Sequence, residues 1–443
     1  MGEWGAAEFF QRSNVTAERK RIYGWALYDW ANSAYATTVM AGFFPLFFKA
    51  FYSAGADPTV STAQLGVANS VSSIIVVLMA PLLGAIADAG GIRKRFLLMF
   101  AFLGILMSAS LALVGKGQWE LAALVYVLGN IGFMGSNIFY DSFLPSVTTE
   151  EQFDRVSGLG YALGYLGGGI LFALNVAMVQ KPEWFGFADA AAGIKASFVS
   201  VAVWWAVFSL PLLLWVEEKK ATRRLGVRRL SVLGYRRLMR TFSKIRHLRG
   251  LFLFLVAYWF YIDGVDTVIR MAVDYGMAIG FEAGDLIKAL LIVQFLGFPA
   301  TIAVAKLAQM WDTKKAIYLT LGFYTLITVF AAFMREVSEF YLLAAMIALV
   351  QGGIQALSRS YYSRMIPAEY SAEFFGFYNF LGKFATVLGP LLIGFVAVAT
   401  HSSRAGIASV ALFFVVGALL LLLIDEKKVA EEVREAMSAG RKA

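Results

Sequence analysis

Twelve apolar runs, each long enough to cross a bilayer's hydrocarbon core, decide what this chain can fold into. Six fall at roughly 24–49, 62–87, 96–114, 119–143, 157–178 and 196–216. Six more follow at roughly 250–279, 286–309, 316–334, 340–363, 374–399 and 405–424. A chain in hydrocarbon must satisfy its backbone polar groups internally, so runs of this length fold as helices. The expectation is an all-α polytopic membrane protein of two six-helix bundles. Composition agrees, with 59% hydrophobic and 16% charged residues and a mean hydropathy of +0.67.

The same composition excludes several chemistries. The chain has no cysteine, so it forms no disulfide and carries no thiolate. His247 and His401 are its only histidines, too few for an imidazole metal site, and no metal or cofactor is expected. Neither His-Glu-x-x-His nor Gly-x-Ser-x-Gly occurs, so the chain does not read as an enzyme. The first twenty residues, with Glu3, Glu8, Arg12, Arg19 and Lys20, lack the apolar segment of a secretory signal.

The net charge of +9 is concentrated in one place. Residues 217–249 hold twelve Lys/Arg against two Glu, a net of +10, and the remainder sums to −1. Arg93-Lys94-Arg95, Arg155, Lys314-Lys315, the N-terminal segment and the tail fall on the same side as this linker. The opposite loops carry few basic residues. That bias places the linker and both termini in the cytoplasm; for a bacterial chain the membrane would be the inner one. The linker's charge reads as the same bias plus attraction to anionic lipid, and no nucleic-acid partner is expected. The division is then 1–216, a first six-helix half; 217–249, the linker; 250–424, a second half; and 425–443, a charged, helical, solvated tail.

The halves share landmarks in register. Pro81 and Pro299 lie 218 apart. Gly84-x3-Asp88-x2-Gly91-x-Arg93 matches Ala305-x3-Gln309-x2-Asp312-x-Lys314 at an offset of 221. Tyr140-x4-Pro145 matches Tyr362-x4-Pro367 at 222, and Gly158-x5-Gly164 matches Gly376-x5-Gly382 at 218. Two parallel repeats of six spans joined by a cytoplasmic linker resemble the major facilitator superfamily. The resemblance implies a substrate site between the halves, lined by spans one, four, seven and ten, and a chain that works as a monomer. The 84–95 segment resembles that superfamily's signature loop and implies a conformational latch of Gly84, Asp88, Gly91 and Arg93. Ala89 departs from the pattern, and the second copy lacks the glycine and the aspartate, so any latch there is weaker or different.

The first span reads Tyr28-Asp29-Trp30-Ala31-Asn32-Ser33-Ala34-Tyr35-Ala36-Thr37-Thr38. This string resembles the opening helix of the vacuole-effluxer-like family within that superfamily, which includes autophagy-related amino-acid effluxers and bacterial members. Gly160-x3-Gly164-x3-Gly168 in span five is a small-residue packing stripe. The Gly-Pro pair of the superfamily's antiporter signature is missing from that span.

Charges inside the spans are the candidate site. Asp263, Asp266, Arg270 and Asp274 are spaced 3, 4 and 4, on one helical face of span seven. Asp263 lies about 20 Å into its run by helical rise, near the centre of the bilayer. A charge there costs at least ~2.5–3.5 kcal/mol, so it marks a wet cavity or a partner. Asp266 and Arg270 can neutralise each other, which leaves Asp263 as the first candidate for proton coupling and Asp29 as the second. A static buried ion pair is the competing reading of both. Asn32 and Asn137, the stripe Gln351, Gln355, Ser358, Arg359 and Tyr362, and Asn379 and Lys383 in span eleven complete the polar set. The expected function is a secondary transporter moving a small polar solute by alternating access, with protons as the candidate coupling ion. The family resemblance implies an amino acid. A carrier of sugars, nucleosides or amphiphiles, or a non-transporting receptor or scaffold acting through 217–249, are the alternatives.

Overall fold

The computed structural model describes residues 3–218, 227–245, 248–278, 282–384 and 388–439, and helices account for most of them. In the first half, α1 (Glu3–Ala34) is followed by α2 (Pro58–Gly90), α3 (Arg93–Leu111), α4 (Trp119–Ser142), α5 (Phe153–Gln180) and α6 (Ala190–Trp215). The linker contains α7 (Val227–Ile245). The second half holds α8 (Arg249–Ala278), α9 (Ala283–Met310), α10 (Thr313–Phe333) and α11 (Val337–Met365). It continues with α12 (Ser371–Phe384), α13 (Leu388–Thr400), α14 (Ser403–Ser409) and α15 (Ala411–Leu422), and α16 (Glu426–Ala439) forms the tail. Among the described residues, eleven helices are long and apolar enough to cross a membrane. The eleventh of the twelve expected runs corresponds to α12 and the shorter α13, on either side of residues 385–387, which lie outside the described set.

The helix ends follow local chemistry. Gly91 sits at φ +56° just after α2, a left-handed position that glycine fills without strain. The Asp189 and Asp312 side chains accept from the backbone N–H of Ala192 and Lys315, capping α6 and α10. Pro367 follows α11 and holds Ile366 extended. Helix α1 runs on into wide π turns at Tyr35–Phe43 and Phe48–Tyr52. Pro45 accounts for the first of these, because its ring clashes with an ordinary helical carbonyl at Ala41 and the chain relieves this by widening the turn before it.

Each half has its own apolar core, one running from Trp25 to Val216 and the other from Leu248 to Met437. They meet where α2 crosses α12 and where α5 crosses α9. Both crossings depend on glycine. A Cβ on Gly84 would strike the Ala372 carbonyl, and one on Gly376 would lie 2.7 Å from Pro81 Cα. A Cβ on Gly158 would strike the Ala305 side chain. Gly84 and Ala305 are matched positions of the repeat, as are Gly376 and Gly158. The interface is therefore one contact made twice with the roles exchanged.

The tail departs from the sequence expectation of a solvated segment. Val429, Val433 and Met437, four residues apart, are buried against the second half. That spacing gives α16 an apolar stripe, and burial of the stripe outweighs the helix's overall charge.

Candidate functional site

A cavity of about 510 Å³ lies between the halves. Helices α1, α4, α5, α8, α9, α11 and α12 line it. Its size is that of a small-solute site. The lining reaches Phe340 and Leu286, each within a turn of the start of its helix, at the end opposite the linker.

At the other end of the cavity, Arg359 of α11 crosses to the first half. Its Nη1 donates to Asp141 Oδ1 at 2.9 Å, its Nε to Ser157 Oγ at 2.9 Å and its Nη2 to the Ser157 carbonyl at 3.0 Å. Asp29 Oδ2 lies 3.7 Å from Nη2 and accepts from the Tyr140 hydroxyl at 2.8 Å. Arg359 is 1% exposed, and its guanidinium sits among the rings of Trp25, Tyr140 and Tyr161, at 4.8, 5.3 and 4.4 Å. The Trp25 indole N–H donates to the Tyr140 carbonyl, and the two rings stack. This is a forked, ring-faced setting that suits arginine and not lysine. Two carboxylates face one guanidinium, a formal excess of one negative charge in the triad.

Further polar groups face the cavity. Asn32 Nδ2 donates to Asn137 Oδ1 at 2.6 Å. Asp266, Gln351, Gln355 and Asn379 line the wall, together with Tyr161, Tyr165, Tyr258 and Tyr378. Asp263 is placed elsewhere. It is fully buried within the second half, where Oδ1 accepts from Thr267 Oγ1 at 3.1 Å and from the Gly389 backbone N–H at 3.2 Å, off the cavity wall. Ser358 and Tyr362 also turn into that half, bonded to the Tyr261 hydroxyl and the Phe374 carbonyl. The side chains of Arg270, Asp274 and Lys383 lie outside the described residues.

Contacts between the halves concentrate at the linker end. Asp88 Oδ2 accepts from the Glu373 N–H at 2.9 Å, at the N-terminus of α12, where free N–H groups attract a carboxylate. Arg93 Nη1 donates to the Ser142 carbonyl at 3.1 Å and to Ser371 Oγ at 2.6 Å, bridging the halves. Where the second copy of the loop has lost its aspartate, a different cluster stands. Asp154 of α5 accepts from Arg364 Nη2 at 2.8 Å, from Thr313 Oγ1 at 2.8 Å and from Ser360 Oγ. The linker adds Arg237, whose Nε donates to Glu373 Oε2 at 2.9 Å, with Asp88 4.0 Å away and the Tyr370 ring below.

Sequence reasoning did not single out Asp154, Ser157, Arg364, Arg237 or Glu373. One signal was present: Asp154 and Glu373 each open the matched spans five and eleven, and an acidic residue recurs there at the edge of an apolar run.

Comparison with known proteins gives a consistent result. The family described as "Vacuole effluxer Atg22 like" matches residues 59–153 and 146–434. An uncharacterized MFS-type transporter, YxiO, of Bacillus subtilis (strain 168) is 39% identical over 411 residues, covering 92% of this chain and 95% of that one. Autophagy-related protein 22 of Eremothecium gossypii is 24% identical over 464 residues, 90% and 89% of the two chains. Among solved structures, the human organic anion transporter MFSD10 (TETRAN) matches with a TM-score of 0.70 at 14% identity, over 91% of this chain and 99% of that one. FucP, a major facilitator superfamily transporter in the outward conformation, matches with a TM-score of 0.66 at 12% identity, over 92% and 98%.

Proposed function

The chain belongs to the vacuole effluxer Atg22-like family, and on that premise we propose that it moves a zwitterionic solute, an amino acid, by proton-linked alternating access. It is a multi-pass membrane transporter of the major facilitator fold and not an enzyme. The observation that carries the finer reading is the meeting of Arg359 from one half with Asp29 and Asp141 from the other at the closed end of the cavity. A substrate carboxylate entering from the open end competes with these aspartates for the guanidinium. Its ammonium is attracted to the carboxylate so released or to Asp266 across the cavity. A proton on Asp29 or Asp141 removes the triad's excess charge, so proton and substrate act on the same contact between halves. Loosening it, together with the Asp88 and Asp154 contacts, opens the linker end, which the charge bias assigns to the cytoplasm. Asp29 and Asp141 thus replace Asp263 as the coupling candidates, because they face the cavity.

Flux of labelled amino acids into proteoliposomes, with and without an imposed pH gradient, tests the reading. Gradient-driven flux in wild type, lost in Asp29→Asn while exchange persists, is the expected result. Flux indifferent to the gradient and to Asp29→Asn removes proton coupling, and no flux for any amino acid removes the substrate class. The tyrosine-rich wall around Arg359 favours one second reading, an aromatic organic anion; MFSD10 is itself described as an organic anion transporter. Flux of an aromatic carboxylate lacking an amine, at the rate of the matching amino acid, would select it.

A further inference from the structure

Helix α7 has three distinct sides. Gly234, Thr241 and Arg237 turn toward the bundle: a Cβ on Gly234 would strike Ile86 of α2, Thr241 is buried, and Arg237 holds Glu373. Val232, Tyr235 and Met239, at helical spacing, form a second side and are 46%, 56% and 44% exposed. Arg229 and Arg236, seven residues apart, form a third, exposed side beside it, with Arg240 also exposed. An apolar stripe next to a basic one is the pattern of a helix lying in a membrane interface. The linker around it carries a net charge of +10. Exposed valine, tyrosine and methionine side chains at the membrane end of a bundle suit the acyl boundary, and the arginines match lipid phosphates in charge.

We propose that α7 docks on the anionic phospholipid headgroups of the leaflet at the linker end, and that lipid held there favours closure of that end of the transporter. The link is direct. Arg236, on the exposed side, adjoins Arg237, which spans Glu373 of the second half and Asp88 of the first. Anionic lipid holds α7 flat against α2, and Arg237 stays between the two carboxylates. Without that lipid the basic stripe repels itself and its neighbours in the linker, α7 lifts, and the contact loosens. The inference rests on alternating access, but its test reads conformation and not flux, so it fails separately from the substrate assignment.

The absence of cysteine makes the experiment clean. Spin labels at Arg95→Cys and Lys315→Cys, exposed positions on opposite halves at the linker end, report its opening as a distance distribution. In nanodiscs of phosphatidylcholine with 30% phosphatidylglycerol (about one lipid in three, enough to set a surface potential), the ratio of short to long distances should rise at least threefold over phosphatidylcholine alone. Arg229→Gln/Arg236→Gln, at exposed positions, should abolish the rise. About 0.5 M salt should abolish it in wild type, since screening shortens the reach of exposed charges to a few ångströms. Identical distributions in the two lipids overturn the proposal, as does an undiminished rise in the double variant.

Discussion

Arg359 shows how much one side chain's surroundings decide. Its three nitrogens donate to Asp141 and twice to Ser157, Asp29 lies 3.7 Å away, and three rings cover its faces. Taking one partner from a buried ion pair costs about 3–5 kcal/mol, because the other charge stays buried. Arg359→Lys keeps the charge but loses the fork and the ring stacking. It should lower substrate flux at least tenfold, read as Vmax and KM in proteoliposomes. Asp263→Asn should leave KM within about twofold and lower the thermal midpoint of unfolding instead, its side chain being part of the second half's core. Equal loss of flux in both variants would contradict the placement. The sequence marked Asp29 and Arg359 as polar in apolar runs, but not that they meet with Asp141, because pairing across halves depends on how the two bundles dock. It also put Asp263 and Asp266 on one face. Three residues are about 60° apart around a helix, and at a cavity's edge that separates one aspartate in the core from one on the wall.

At the scale of elements, spans, repeat and the helical tail were legible because hydropathy and landmark spacing are local properties, whereas α7 and the docking of α16 were not. Both are short amphipathic helices in strongly charged segments, and only their docking orders them against the bundle. Docking of α16 makes a pH-dependent contact. Glu426, at its start, is pushed up to about 7 by burial, with Arg364 opposing the shift and Asp154, Asp312 and Glu150 adding to it. The docked state therefore binds the proton more tightly than a free glutamate, whose ordinary value is 4.5. This contribution to docking is complete below the ordinary value and is lost as pH rises through about 7. Hydrogen exchange at Val429 and Val433, corrected for intrinsic rate, should accelerate as pH rises from 4.5 to about 7, the interval between the ordinary and the shifted value. Glu426→Gln should flatten that dependence. A wild-type profile already flat would show that another group governs the tail.

For the whole molecule, the doubled crossing of α2 with α12 and α5 with α9 makes opening at the linker end a motion of two matched seams. Glycines fix how closely each seam shuts, and polar clusters fix how firmly: Asp88 with Glu373, Arg93 and Arg237 at one, Asp154 with Arg364, Ser360 and Thr313 at the other. The clusters differ because the second loop lost its aspartate, so the seams need not be equally strong. The Asp88 and Asp154 carboxylates are both buried, but Asp154 takes direct donors from three side chains, which makes its seam the firmer. Gln351 lines the cavity between the seams and the open end, so Gln351→Cys in the cysteine-free chain reports access from either side. In otherwise unaltered protein, a membrane-impermeant maleimide should label it from the side opposite the linker. Adding Asp154→Asn removes the charge that holds Arg364 and should shift the balance by about 1–3 kcal/mol, less than a fully buried pair because Arg364 is partly exposed. That is at least a fivefold gain in labelling from the linker side. Asp88→Asn, whose carboxylate has one backbone donor and more distant arginines, should give a smaller gain. The reverse order would place the stronger closure at α2 and α12, and unchanged labelling in both variants would mean that the remaining contacts, the Arg359 cluster and the glycine crossings, hold the linker end shut.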